Sequence, residues 1–135
     1  MANTLYDAAR QRFLEAQINW MTDTVKVLLV DTGAYTPQTA VHQYLSDISG
    51  SARIAGPVTL TSKTTTGGAA DAADVTFTSV TGPSIEAIVI YIDTGTESTS
   101  PLVAFIDTAT GLPITPNGGD IIVTWDNGLN KIFKV

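Results

Sequence analysis

The sequence contains no cysteine and a single histidine, His42. Without thiols there is neither a disulfide framework nor a thiolate metal site, so stability must come from packing, within the chain or between copies of it. Basic residues number seven against thirteen acidic ones, and the formal net charge is −6. A nucleic-acid surface needs clustered Lys and Arg to displace counterions, and the few present are scattered, so no nucleic-acid partner is expected. Long apolar runs are missing too. The stretches Val25–Val30 and Ala87–Ile92 are far too short to span a bilayer. Met1 to Asp7 shows no basic region leading into an apolar one, so neither a signal peptide nor a membrane partner is expected.

What is present points to a packed β protein. Apolar residues make up 44% of the chain and charged ones only 15%, a globular balance and not a disordered one. Thr, Val and Ile are abundant, and β-branched side chains suit a pleated, half-buried surface better than a helix. Thr4 and Asp7 read as a capping box opening a helix over residues 4–17, with Leu5, Ala9, Phe13 and Ala16 on one face. Phe13, the largest apolar residue on that stripe, is expected in the core or against a partner. Thr24 to Asp31 reads as the first strand. Thr36-Pro37 has the form of a cap followed by Pro at the first helical position, predicting a short helix through Leu45.

Ala52 to Thr66 predicts two short strands interrupted by Gly56-Pro57, and Gly67 to Ala73 a loop. From Asp74 to Val80 the pattern alternates, placing Val75, Phe77 and Ser79 on one face. Ile85 to Ile92 reads as a buried central strand, joined through a Thr/Ser-rich turn to Leu102–Asp107 as a hairpin with a long loop. Asp120–Trp125 and Lys131–Val135 predict a last hairpin around Asp126-Asn127-Gly128. The fold class expected is mainly β: a β-sandwich or jelly-roll-like single domain over 1–135. Residues 1–20 form its short N-terminal α-helical segment and 21–135 its β-rich body.

Asp-Thr-Gly occurs at 31–33 and again at 93–95, each after an apolar strand. Aspartic proteases of the retroviral type hold two such carboxylates together over one shared proton. They also carry a second apolar-apolar-Gly segment behind the active-site loop, and none is found here. Asp and Thr end strands by bonding their own turn backbone, which accounts for the motif without chemistry. His42 has no Cys, Ser-elbow or carboxylate spacing beside it. Asp71, Asp74, Asp120 and Asp126 fall in predicted turns but form no calcium-binding loop pattern. Ser84 and Glu86 lack a paired base. Trp20, Trp125 and the tyrosines would offer a glycan-stacking surface only if they lay outside the core. No catalytic, cofactor-binding or metal-ligating residue is assigned; the expectation is a protein that is not an enzyme and needs no cofactor.

Longer segments carry a resemblance. Met1-Ala2-Asn3-Thr4-Leu5-Tyr6-Asp7, Trp20-Met21-Thr22-Asp23-Thr24-Val25-Lys26 and His42-Gln43-Tyr44-Leu45-Ser46-Asp47-Ile48 belong to it. So do Asp74-Val75-Thr76-Phe77, Thr115-Pro116-Asn117-Gly118-Gly119-Asp120-Ile121, Trp125-Asp126-Asn127-Gly128 and Lys131-Ile132-Phe133. Together they resemble small structural proteins of tailed bacteriophages, and within that group capsid decoration, or cement, proteins. The resemblance implies a jelly-roll-like homo-oligomer, dimer or trimer, made in the host cytoplasm. It would sit on the outer capsid surface, with the major capsid protein as partner. A tail- or neck-associated structural or adhesion module is the alternative, and a retropepsin-like protease the remote one.

Overall fold

Apolar β-branched runs set the strands. The computed structural model describes residues 4–107, 112–125 and 132–134. In chain order its elements are β1 (Thr4–Leu5), α1 (Asp7–Leu14), β2 (Val25–Val30), β3 (Arg53–Thr59), β4 (Ala69–Ala70), β5 (Val75–Phe77), β6 (Ala87–Ile92), β7 (Leu102–Ile106), β8 (Ile121–Val123) and β9 (Phe133–Lys134). The chain is a small, mainly β single domain with one helix near its N-terminus and antiparallel sheets. One five-stranded sheet runs β1-β7-β6-β2-β3, and two two-stranded ribbons pair β4 with β9 and β5 with β8. That order among the described residues lacks the two large sheets of a jelly roll.

Strand β6 lies at the centre of the sheet, hydrogen-bonded to β7 on one side and β2 on the other. All six of its residues are buried, as are all five of β7. Successive side chains of a strand point to opposite faces, so a strand buried throughout has both faces covered. Lys26 pairs with Tyr91, Leu28 with Val89 and Val30 with Ala87, which puts these side chains on one face. Over it lie the loop segments 45–53 and 95–100. The other face carries Val25, Val27 and Leu29 opposite Ile92, Ile90 and Ile88, all of them buried.

Helix α1 is shorter than residues 4–17, and no capping box forms. Thr4 and Leu5 extend as β1 beside β7; the residue before the helix is Tyr6, with no side-chain cap. Pairing Leu5 with Ala104 uses the backbone that the helix would have needed. Of the expected helical stripe only Ala9 is fully buried within α1. Ala16 takes a positive φ of 58° and ends the run. Phe13 is half-buried, its ring 6.1 Å from that of Phe133, while Arg12 donates to Gln43 and Tyr44. The helix therefore bridges the loops on one side and β9 on the other.

Thr36 to Leu45 is not a helix. The chain makes one turn, with the Val41 and His42 N–H groups donating to the Gln38 carbonyl, and then a 3-10 turn over Leu45–Asp47. The Asp47 carboxylate accepts the Gln43 and Tyr44 N–H groups at 2.8 and 3.0 Å, so those donors bond locally instead of to a preceding helical turn. Ala69 and Ala70, expected in a loop, are buried in β4 against β9. Ser79 leaves the Val75–Phe77 face, exposed at φ 50°. Strand β8 pairs with β5 and β9 with β4, not with each other. The expected turn Asp126-Asn127-Gly128 lies outside the described residues.

Gly56-Pro57 does not split β3 into two strands. It forms an irregularity inside a single one, where the register against β2 shifts between Val27 and Leu29. Gly56 has φ 95°; a Cβ there would meet the Val27 carbonyl oxygen at 2.7 Å and the Phe77 ring at 3.0 Å. Neither backbone can retreat without parting β3 from β2. Gly56→Ala should therefore cost about 3 kcal/mol or more, combining positive-φ strain with overpacking. Urea titration checks this: a loss below roughly 1 kcal/mol would mean that the approach is not a tight one.

Candidate functional site

The two Asp-Thr-Gly segments are turns at opposite ends of one strand pair. Asp31 follows β2 and Asp93 follows β6; since these run antiparallel over six residues, the carboxylates are separated by roughly 20 Å. No dyad forms within one chain. Asp31 Oδ1 accepts the Gly33 N–H at 2.8 Å, and Asp93 Oδ1 accepts the Gly95 N–H at 2.9 Å. Asp93 has a second bond, to Lys26 Nζ at 2.7 Å. Glu86 Oε1 takes the Thr32 N–H and hydroxyl, while its other oxygen holds Ser84. The Asp31 turn is thereby pinned to the start of β6.

His42 is not isolated. Its ring stacks on Tyr35 at 5.4 Å, and Nδ1 lies 3.0 Å from the Tyr35 hydroxyl. The Gln38 N–H also points to Nδ1, and a backbone N–H can only donate, so Nδ1 is the acceptor. Tyr35 therefore donates to His42 and accepts from Tyr6, whose hydroxyl is 2.8 Å away and whose side chain is fully buried. Burial raises both phenols, Tyr6 well above the ordinary range; the neighbouring tyrosine adds to this at Tyr6, and the bond from Tyr6 opposes it at Tyr35. Nearby, burial raises the Asp47 carboxyl, but the Gln43 and Tyr44 N–H groups outweigh it and hold the group below its usual value. This chain of bonds clamps the 35–44 segment to the start of α1.

Trp20 and Trp125 are core residues, 5% and 6% exposed, so they form no stacking platform. Their Nε1–H groups donate to the Asp71 and Ala73 carbonyls, fixing the approach to β5. The turn carboxylates have backbone partners: Asp74 takes the Trp125 N–H and Asp120 the Ser79 N–H. Among the described residues no group of three His, Asp or Glu could hold a metal ion. Asp126 lies outside them.

What the structure does assemble is a cleft of about 320 Å³ on the loop-covered face of the sheet. Lys26 and Leu28 come from β2, Tyr91 from β6, and Gly56-Pro57 from the bulge of β3. Two ion pairs border it. Lys26 meets Asp93, and Arg53 meets Glu97 at 2.9 Å. Arg53 is further held by the Leu45 and Ile48 carbonyls at 2.9 and 2.7 Å. The 94–100 loop that carries Glu97 is stapled by hydroxyls: Thr94, Thr99 and Ser100 all donate to the Thr96 carbonyl. Burial, then the Asp93 carboxylate, push the Tyr91 phenol up to about 12, with Arg53 opposing. Among the described residues its hydroxyl has no hydrogen-bond partner. None of Lys26, Arg53, Tyr91 and Glu97 stood out in the sequence. The available signal was polar side chains interrupting apolar strands, Lys26 within Val-Lys-Val and Asp93 two residues beyond Tyr91.

The Asp93 carboxyl is held below its usual value by Lys26 first and then by the Gly95 N–H; Glu97 is likewise lowered by Arg53. No known protein family matches the chain, and no curated protein is similar to it. Asp31→Asn should change stability little, because the Asn oxygen still accepts from Gly33, and should leave function intact. Asp93→Asn should cost about 0.5–1 kcal/mol at neutral pH, the range for a solvent-screened ion pair. A depressed folded-state pKa stabilises above the unfolded value of about 3.9 and is lost as pH falls through the folded one, so the difference should shrink as pH falls below that unfolded value. Equal melting curves for wild type and Asp93→Asn at every pH would refute this. So would peptidase activity in the wild type that is lost in Asp31→Asn, which would place catalysis at that turn.

Proposed function

We propose that the chain is a non-enzymatic structural protein of a tailed-phage virion, a capsid decoration or cement protein that binds the outer shell and braces its capsomers. One observation carries this reading. With both sheet faces filled, large apolar side chains still stand in solvent: Leu14 at 88% exposure, Ile122 at 65%, Val41 at 64% and Met21 at 50%. The core does not need them, and contact with another protein surface would bury them. The segments that resemble phage structural proteins span nearly the whole chain, and the acidic net charge suits an outer face and not a DNA-gripping one.

The edges of the sheet fit the same role. β1 is two residues long, and β3 is interrupted by its bulge and by Pro57, which cannot donate to a neighbouring strand. Contacts with a shell, or with the other copies of a dimer or trimer, then run through side chains. Many weak contacts of that kind hold through multivalency. No helix among the described residues is long and apolar enough to cross a membrane.

Cryo-electron microscopy of virions prepared with and without the protein, with light scattering of the free protein, tests the proposal. Density on the outer shell is expected, together with a dimer or trimer in solution. Leu14→Ser and Ile122→Ser should lower occupancy while leaving the melting temperature unchanged. Density at the tail or neck, or full occupancy by both variants, would count against it.

A further inference from the structure

The cleft beside Tyr91 has a chemistry that selects one class of small ligand. Its charges cancel in pairs, Lys26 with Asp93 and Arg53 with Glu97. A free anion or cation would find each charge in the cleft already matched by its neighbour. Each pair nevertheless keeps unused capacity. Lys26 has three N–H groups and one partner among the described residues, Asp93, and the second Glu97 oxygen is unengaged among them. The Tyr91 hydroxyl adds a group that both donates and accepts. It titrates far above neutrality, so it enters any complex as a neutral phenol.

Donors and acceptors therefore share the lining of the cleft with apolar Leu28, Leu45 and Pro57. A hydroxyl group, donor and acceptor at once, complements the former, and the C–H face of a ring complements the latter. The volume, about 320 Å³, falls at the low end of small-ligand pockets, which run from roughly 300 to 1,000 Å³. We propose that this cleft binds a neutral, hydroxyl-rich ring, a single sugar residue of a glycan, with Tyr91, Lys26 and Glu97 as its hydrogen-bonding groups. The walls are built in advance: hydroxyl bonds staple the 94–100 loop, and two backbone carbonyls hold Arg53. Little ordering is left for the ligand to impose. The site is independent of the shell-binding reading, since a chain that never reached a capsid would bind the same ring.

Isotope-labelled protein titrated with glucose, galactose, mannose and N-acetylglucosamine tests this, with acetate, methylammonium and glycine as charged controls. At least one sugar should move the amide signals of Lys26, Gly95 and Ser100 saturably, with millimolar affinity. The charged probes should not. Tyr91→Phe keeps the ring and its packing, and should weaken binding about three- to tenfold, the worth of one hydrogen bond. Should that variant fail to fold, Glu97→Gln, at an exposed position, should weaken it comparably. Failure of every sugar to give a saturable shift would overturn the proposal. So would unchanged affinity in the folded variants, or saturable binding of a charged probe in preference to the sugars.

Discussion

Every residue of β6 is buried, with the Tyr91 hydroxyl reaching the cleft, and the rest of the architecture follows from that constraint. Strands of a half-covered sheet alternate between core and solvent; Ala-Ile-Val-Ile-Tyr-Ile has no charged position to expose and one polar tip, that of Tyr91. Such a strand must lie inside a sheet and have cover on both faces. β2 and β7 supply the flanks, and both faces are covered, since every residue of β6 and β7 is buried. Burying a Val, Leu or Ile side chain contributes about 1.5–3 kcal/mol, and β6 has four such positions, Ile88, Val89, Ile90 and Ile92.

The same constraint explains how a protein with so few charges places them. On the loop-covered face, Lys26 and Tyr91 are direct cross-strand partners, with Asp93 two residues on, just past the end of β6. A cation among apolar strand residues is tolerated because its carboxylate partner stands 2.7 Å away at the sheet margin. Arg53, on the edge strand, draws in the carbonyls of Leu45 and Ile48 and the Glu97 carboxylate, tying three separate stretches of chain. The cleft is the space these two pairs leave between them. Lys26, Arg53 and Tyr91 are held by the sheet, and Glu97 by a loop that its own hydroxyls staple, the condition for precise recognition.

Legibility in the sequence followed the range of the interactions. The central strands could be read directly, because the runs Val25–Val30, Ile85–Ile92 and Leu102–Asp107 carry their burial in their composition. So could the strand-ending role of Asp31 and Asp93, whose bonds to Gly33 and Gly95 span two residues. Partner choice was not legible: β8 and β9 look like a hairpin from their spacing, yet each pairs with a strand more than forty residues away. The helix expected from Thr36-Pro37 failed for a related reason. Tyr35 and His42 are claimed by the bond to buried Tyr6, a contact 29 residues distant that no local pattern announces. The cleft was hidden in the same way, its pairs joining residues 44 and 67 positions apart.

Amide hydrogen exchange followed residue by residue tests the dependence on β6 most directly. If the doubly covered sheet is the stabilising unit, the amides of β6 and of β2 facing it should exchange only through global unfolding. The amides of β4, β5, β8 and the outer edge of β3 should exchange through smaller, local openings. Exchange of the β6 amides as fast as those of the ribbons would contradict the account, because the centre of the sheet would then open without the rest of the domain.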